Sequence, residues 1–529
     1  MNGRLLLVGC AALTLGAGAD EAKLREYVAR FNADDEELYT NAMPNAAAAD
    51  FLATNVPLFE CPDKSIERTY HFRWWTYRKH LKKTPSGWVV TEFLPDVGWA
   101  GKYNTISCPL GHHLREGRWL RSAAFLDDFT RFMLTEGSVN GPRAYACWPA
   151  WATCECAKVT GDASYGVKLL PLFVKNWEAW EKGWPTSHKD IVAGYKPARG
   201  LFDFIGDREG TECALSVDGA RPMINAAMWA EADAIARLAR AAGDAALAGR
   251  FAARAAALEQ AIKAKLWNAD KSFFTTLGVN GVLDSVCELH GYAPFYFRMP
   301  LAGFEKAWQP LMDDRGFWAA VGLTFPRRDT PGFNVKIDYT KHECLWDGPS
   351  WPYATSVTLT ALYETLQDGA KIPVKSADFA KLLKQYADQH VRVREDGKTV
   401  PWIDENLHPF TGEWIARDVL IEQARRRGKP VRYRERGKDY NHSTFCDLVI
   451  AGLCGLVPQA GPTLVVAPRT PTNWTWWRLD NVRYHGHDVS VVWDATGKKW
   501  NKGAGLAVFV DGVCKGTATK LDKLTIDLK

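Results

Sequence analysis

The sequence has little net charge, and it lacks a long hydrophobic segment beyond its N-terminus. Its 66 Lys and Arg residues nearly balance 61 Asp and Glu residues, which leaves a formal charge of +5 over 529 residues. A protein that binds nucleic acid usually carries a larger and clustered positive charge, so we predict no nucleic-acid partner. A transmembrane helix needs roughly 20 consecutive apolar residues, and no later segment has them, so we predict no integral membrane span.

Cysteine is scarce and irregularly spaced. The chain has 12 cysteines, of which Cys10 lies in the N-terminal segment. The odd number that remains does not form a disulfide framework for a chain of this size. The Cys154-Glu155-Cys156 pair has no second pair or nearby histidine that would complete a zinc site. We therefore predict no metal site and no organic cofactor.

The N-terminal segment has the features of an export signal. A basic residue, Arg4, precedes apolar and small residues over 5–19, and Ala17-Gly18-Ala19 fits the small-x-small pattern of a signal-peptidase site. We predict a signal peptide over 1–19 and an exported protein, either periplasmic or extracellular. Leu7-Val8-Gly9-Cys10 also fits a lipoprotein box, so a lipid anchor at Cys10 is the alternative.

Tryptophan, in contrast, is abundant. The chain has 23 Trp, together with 17 Tyr and 24 Phe. Indole faces pack well in cores, and they also stack on the apolar C–H faces of sugar rings. We predict an oligosaccharide or glycoside as the partner. The sequence does not determine the oligomeric state.

Helical periodicity dominates residues 121–455, and no repeat of fixed length accompanies it. Ten to twelve amphipathic segments follow one another there, and residues 226–266 form the clearest helical hairpin. The missing repeat argues against a solenoid, and this number of antiparallel hairpins suits a closed double ring of helices. Residues 51–105 instead carry Thr-, Val- and aromatic-rich runs that predict strands or long loops.

The pattern changes after Pro458. Short apolar runs separated by glycine turns predict strands and a small β-sandwich-like domain. The predicted organisation is therefore a signal peptide over 1–19, a mainly α catalytic barrel over 20–458, and a C-terminal β domain over 459–529.

Several loops combine acidic residues with aromatic residues and glycine. Glycosidic cleavage needs such groups, because one carboxylic acid protonates the leaving oxygen, a second carboxylate acts on water or the sugar carbon, and aromatic walls hold the ring. The richest of these loops are 206–212, 346–352, 402–414 and 439–443.

Two of these loops resemble those of the (α/α)6-barrel glycosidases that include glycoside hydrolase family 63 and the mannosylglycerate hydrolases. The stretch 404–412, Asp-Glu-Asn-Leu-His-Pro-Phe-Thr-Gly, is similar to the family's Glu-Asn-Tyr-x-Pro-x-Thr-Gly stretch. The loop 346–351, Trp-Asp-Gly-Pro-Ser-Trp, is similar to its Trp-x-Gly-Pro-x-Trp loop. The resemblance covers about residues 68–456. It implies an inverting, exo-acting hydrolase of an α-linked mannose, glucose or rhamnose unit.

The resemblance also implies roles for individual residues. Glu405 matches the catalytic base. The family places its general acid in a Ser-Gly-x-Asp-Asn-Ser-type loop, and Asp207 is the best match here, with Glu209 and Glu212 as alternatives. The expected sugar subsite consists of Arg73, Trp74, Arg221, Trp346, Asp347, Trp351 and Tyr440.

Other functions are compatible with the same residues. Gly206-Asp207-Arg208 also resembles the acidic loop of α-L-rhamnosidases, another barrel family that often ends in a small β domain. A polysaccharide lyase would use Tyr440 and His442 instead of two opposed acids. A protein that kept the pocket without catalysis would only bind carbohydrate.

Overall fold

A computed structural model describes residues 18–137, 142–186, 191–430 and 436–529. Cys10 and all of the predicted signal peptide except residues 18 and 19 lie outside the described residues, and those two residues begin the first helix. None of the described helices is both long enough and apolar enough to span a membrane. All eleven described cysteines are free.

The described residues are mainly helical. The α-helices are α1 Gly18–Ala33, α2 Ala48–Asn55, α3 Lys64–Lys79, α4 Leu110–Gly117, α5 Ala124–Thr135, α6 Pro149–Thr160, α7 Ser164–Lys182, α8 Pro222–Ala241, α9 Ala245–Lys265, α10 Ala293–Tyr296, α11 Pro352–Gln367, α12 Ser376–Gln389, α13 Ile415–Arg426 and α14 Phe445–Asp447. A π-helix, Leu448–Leu453, continues α14, and short 3-10 helices cover Asn45–Ala47, Lys102–Asn104, Gly206–Glu209, Leu289–Tyr292 and Glu305–Met312.

An inner ring of helices closes on itself. In order, α4 packs on α6, α6 on α8, α8 on α10, α10 on α11, α11 on the π-helix, and α14 on α4. The inner helices are buried over most of their length, since outer helices cover them: α9 and α7 pack on α8, α12 packs on α11, and α3 packs on both α12 and α14. This arrangement is the closed double ring that the periodicity predicts and the (α/α)6 barrel that the resemblance implies.

The prediction for residues 51–105 was wrong over helix α3. The Asp63 side chain accepts hydrogen bonds from the backbone N–H groups of Ser65 and Ile66 and so caps the helix. Almost every residue from Ile66 to Lys79 is buried. A helix that is covered on all sides has no polar face and therefore no amphipathic period in its sequence. The prediction is confirmed for strand Leu58–Glu60, for the hairpin of strands Leu81–Thr84 and Gly87–Val90, and for the long loop that follows this hairpin.

The C-terminal β domain contains two antiparallel sheets. One joins Leu456–Val457, Thr463–Val466 and Leu524–Asp527. The other joins Trp476–Tyr484, His487–Asp494, Gly505–Val510 and Val513–Ala518, and its edge is completed by Leu58–Glu60 from the N-terminal part of the chain. The β domain is therefore tied to the barrel by a shared sheet. Shorter paired strands lie in loops at Trp184–Pro185, Val192–Lys196, Leu201–Asp203, Gly219–Ala220, Trp267–Asn268, Phe273–Phe274, Leu277–Gly278, Val391–Val393 and Thr399–Pro401.

Candidate active site

Loops that precede the inner helices meet at one rim of the barrel and enclose a pocket of about 260 Å³. The segment before α4 contributes Glu92. The lining residues from the segments before α8 and α11 are Asp207, Arg208, Gly210, Glu212, His342, Glu343, Cys344, Trp346 and Trp351. Glu405 and residues 436–442 complete the lining. The pocket thus gathers four acidic loops that are far apart in sequence.

Glu405 is held at the pocket wall by two donors. The guanidinium of Arg436 donates a very short hydrogen bond to its Oε2 atom, and the Cys344 Sγ atom lies 3.3 Å from the same oxygen. Arg436 also pairs with Glu343 at 2.6 Å. Glu405 is only 7% exposed. The positive charge of Arg436 therefore lies directly against the buried carboxyl group of Glu405.

Asp404, the residue before Glu405, is a fully buried acid with a raised pKa. Burial and the negative charge of Glu405 raise the pKa of Asp404 to about 7. Its Oδ1 atom accepts a hydrogen bond of 2.9 Å from the backbone N–H of Glu405. Asp404 thus fixes the backbone from which Glu405 projects.

Glu212 has the properties of a proton donor. Its Oε2 atom accepts a hydrogen bond of 3.2 Å from the Trp346 indole N–H. Burial raises the pKa of Glu212 to about 7, and the charges of Asp207 and Glu405 act in the same direction. A carboxyl group with such a pKa carries its proton near neutral pH.

Asp207 and Glu209 lie in other surroundings on the same loop. Asp207 lines the pocket, but its side chain is 46% exposed and lies 3.6 Å from Arg208. Glu209 does not line the pocket, because Arg221 pairs with it at 2.7 Å and the Ile224 backbone N–H donates to it. Arg221 overcomes the effect of burial and lowers the pKa of Glu209.

An aromatic stack forms one wall of the pocket. The rings of Trp346 and Trp351 lie 4.4 Å apart at an angle of 28°. Trp351 in turn stacks on Tyr353, with centroids 4.6 Å apart. Trp351 is the residue before Pro352, the first residue of α11, so the start of a rigid inner helix fixes the stack. Such a surface suits the C–H face of a sugar ring.

Another buried acid, Glu92, lies next to the side chains of Tyr440 and His442. The Tyr440 hydroxyl donates to Glu92 at 3.3 Å, and the His442 Nε2 atom makes a very short contact with the same carboxyl oxygen. Burial raises the pKa of Glu92 to about 8 and lowers the pKa of His442. The Tyr440 pKa is also raised by burial, so its hydroxyl stays a hydrogen-bond donor rather than a base.

The structure brings together only part of the predicted site. Asp207, Glu405, Trp346, Trp351 and Tyr440 line the pocket, whereas Arg73, Trp74, Arg221 and Asp347 are not among its lining residues.

The other four lie elsewhere for identifiable reasons. Arg73 and Trp74 are buried in α3, within the packed helical layer. Arg221 pairs with Glu209 and Glu288 behind the 207–212 loop. Asp347 borders a smaller neighbouring cavity, where the Asn334 amide lies 3.4 Å from it.

The sequence signals of three lining residues, Glu212, Arg436 and Glu92, differ in strength. Glu212 follows Gly210 by two positions, which reproduces the Gly-x-Asp spacing of the family loop with Glu in place of Asp, whereas Asp207 follows Gly206 directly. Arg436 ends an arginine-rich stretch. Such a stretch predicts a solvated surface, so the sequence did not indicate that Arg436 lines a pocket. Glu92 carried no comparable signal. In the described part of the chain, no group of three or more His, Cys, Asp or Glu side chains is arranged to hold a metal ion.

Two protein-family models match parts of this chain. Residues 205–443 match the family model described as the mannosylglycerate hydrolase MGH1-like glycoside hydrolase domain. Residues 460–513 match the C-terminal domain of glycosyl hydrolase family 65.

Solved structures share the fold. A protein named sialidase is 32% identical and superposes over 96% of this chain with a TM-score of 0.85, and the match spans 44% of that protein. A GH78 rhamnosidase of Bacillus sp. GL1 is 14% identical, with a TM-score of 0.55 over 88% of this chain and 44% of its own. Streptomyces avermitilis α-L-rhamnosidase is 13% identical, with a TM-score of 0.52 over 87% of this chain and 38% of its own. This chain thus spans less than half the length of each of these three proteins.

Proposed function

We propose that this protein, which carries a glycoside hydrolase domain similar to mannosylglycerate hydrolases over residues 205–443, is an inverting exo-acting glycosidase. One observation carries the proposal. In a single aromatic-walled pocket, an acid with a raised pKa, Glu212, accompanies a carboxylate paired with Arg436, Glu405. Inverting hydrolysis requires this division of charge between two carboxyl groups.

Glu405 acts as the general base in this proposal. It removes a proton from a water molecule, whose oxygen attacks the anomeric carbon from the face opposite the leaving group. At the same time the general acid transfers its proton to the glycosidic oxygen, which departs as an alcohol. One bond to the anomeric carbon breaks and one forms, and the configuration inverts.

The general acid belongs to the 207–212 loop. Glu212 is the candidate that the site favours, because its raised pKa keeps it protonated near neutral pH. Asp207 is the competing candidate, since it lines the same pocket and is the aspartate of this loop. Arg221 then acts from behind the loop through Glu209 instead of contacting the sugar.

The substrate of the proposed enzyme is an α-linked mannose, glucose or rhamnose unit. Trp346, backed by the stacked ring of Trp351, would contact the sugar ring, while Tyr440 and the protonated Glu92 would bind its hydroxyl groups. The N-terminal segment supports export to the periplasm or the medium. Immunodetection of the mature chain in the periplasmic or culture fraction of the host, and not in the cytosol, tests that point.

Kinetics of single variants test the assignment of the two carboxyl groups. We expect Glu405→Gln and Glu212→Gln to lower kcat by about 10²–10⁴-fold on an α-linked disaccharide, the usual contribution of acid–base catalysis. Asp207→Asn should lower it by less than 10-fold. Glu395→Gln, which alters an exposed acid outside the pocket, is the matched control and should leave kcat unchanged.

The same set of variants separates the alternatives. A large loss in Asp207→Asn with little change in Glu212→Gln would transfer the acid role to Asp207. Full activity in Glu405→Gln would refute the proposed mechanism. An unsaturated product that absorbs ultraviolet light would indicate a lyase instead.

A further inference from the structure

A second cavity of about 310 Å³ lies beside the catalytic pocket. Trp99, Ile106, Tyr145 and Arg208 line both, so the two cavities share a wall. Asp207, the residue before Arg208, lines the catalytic pocket. The loop that supplies the proposed proton donor therefore runs along the boundary between the two cavities.

The walls of the second cavity are aromatic. Trp99, Tyr145 and Trp184 line it, together with Phe204. The Trp184 ring is held by an edge contact with Trp180, with centroids 4.9 Å apart, and by a second edge contact with Phe204. Fixed aromatic faces in a cavity large enough for a monosaccharide are suited to a sugar ring.

The charged side chains among the described lining residues of this cavity are all positive. Arg143 and Arg208 line it, and no acidic side chain is among its described lining residues. The Arg143 guanidinium lies over the Trp184 ring at 5.8 Å, and the Arg208 guanidinium lies over the Tyr145 ring at 5.4 Å. Burial lowers the pKa of Arg143, and only the Cys147 thiol opposes this effect, so no carboxylate of the described residues compensates its charge.

We propose that the second cavity is the leaving-group subsite and that it accepts a pyranose ring bearing an anionic substituent, either a carboxylate or a sulfate. The inference rests on the proposed function, because a leaving group must lie next to the proton donor. The aromatic walls bind the ring, and the guanidinium groups of Arg143 and Arg208 donate charge-assisted hydrogen bonds to the substituent.

Binding of monosaccharide probes tests the subsite without any need for turnover. The probes are methyl glucuronide, the 6-sulfate of methyl glucoside, and methyl glucoside itself, each titrated by calorimetry into the full chain. We expect at least one anionic sugar to bind 10-fold or more tightly than the neutral one, and the pair shows whether carboxylate or sulfate is preferred.

Variants of Arg143 test whether its positive charge is the group that recognises the anionic probe. Arg143→Gln should remove the preference for the anionic probe, and Arg143→Lys should retain most of it. Arg240→Gln, which alters an exposed residue at the end of α8, is the control and should bind as the wild type does. Equal binding of neutral and anionic sugars, or an unchanged preference in Arg143→Gln, would overturn the inference.

Hydrolysis of matched disaccharides separates this inference from the proposed function. The two substrates share the α-linked sugar and differ only at C6 of the leaving group, a carboxylate in one and a hydroxymethyl in the other. A kcat/KM at least 10-fold higher for the acidic substrate supports the subsite, and equal values refute it while leaving the hydrolase proposal intact. Binding preference without hydrolysis of either substrate would refute the leaving-group role together with the proposed function.

Discussion

At the scale of single residues, the ion pair between Arg436 and Glu405 controls the charge of the pocket. Arg436→Met leaves both Glu405 and Glu343 without their cation in a buried setting. Loss of one partner of a buried pair costs about 3–5 kcal/mol of the free energy of unfolding. We expect urea titrations to show a free energy of unfolding that is lower by about 3 kcal/mol, and kcat/KM to fall by at least 10-fold. Arg427→Met, at an exposed position directly after α13, should change neither the stability nor kcat/KM.

The raised pKa of Glu212 predicts a specific pH dependence of activity. Its folded-state pKa of about 7 lies above the ordinary value of 4.5, so the residue is protonated below about pH 7. Activity that needs this proton is full on the acidic side and declines as the pH rises through about 7. Glu92, with a pKa of about 8, would give a decline at higher pH. A pH profile of kcat/KM distinguishes the two, and a profile without an alkaline decline would contradict the acid assignment.

The same residue also links stability to pH. The folded state binds the Glu212 proton more tightly than the unfolded state, so this contribution to stability is full below about pH 4.5 and is lost as the pH rises to about 7. Glu212→Gln lacks this dependence. Relative to the wild type, the variant should therefore become more stable between pH 4.5 and pH 8, as measured by thermal unfolding at a series of pH values. A constant difference between the two proteins would indicate an ordinary pKa.

At the scale of elements, the close approach of two loops positions the base. A Cβ atom added at Gly437 would lie 1.5 Å from Asp404 Oδ1, the atom that accepts from the Glu405 N–H. Gly437→Ala must therefore displace the Asp404 carboxyl group that holds the Glu405 backbone, and we expect kcat/KM to fall by at least 10-fold. Gly461→Ala has open space around the added methyl group and serves as the control. Wild-type activity in Gly437→Ala would show that the loops do not need this contact.

Local sequence patterns predicted the elements that have one exposed face. Helix α12 spans Ser376–Gln389, as its apolar spacing indicates, and α9, the outer helix of the predicted hairpin, buries residues only at three- and four-residue spacing. Helix α3 escaped prediction because its polar residues, including Arg73, are buried along with its aromatic ones. Periodicity reports the contrast between a buried face and a solvated face, and α3 has no such contrast.

At the scale of the whole molecule, closure of the barrel brings the site together. Glu92, Glu212 and Glu405 line one pocket because their loops precede or adjoin helices that form a single ring. The resemblance pointed to single loops, including the loop that carries Glu405. Their convergence depends on ring order and helix length, which local sequence does not specify, so the distinction between lining residues such as Trp346 and supporting residues such as Arg221 required the structure.

The shared sheet predicts that the barrel depends on the β domain. Phe59 of the N-terminal strand lies opposite Leu479, and both side chains are buried. A chain that ends at residue 458 would expose Phe59 and leave its strand unpaired. We expect this truncated chain to unfold at least 5 °C below the full chain or to aggregate, as measured by scanning calorimetry and light scattering. An equally stable truncated chain would show that the barrel folds independently.

The stereochemistry of the first product tests the central claim most directly. The proposed mechanism predicts that an α-linked disaccharide of mannose, glucose or rhamnose initially releases the β-anomer, which proton NMR detects before mutarotation equilibrates the sugar. Initial release of the α-anomer would contradict inversion, and no hydrolysis of any of these α-glycosides by the folded protein would contradict the proposed function itself.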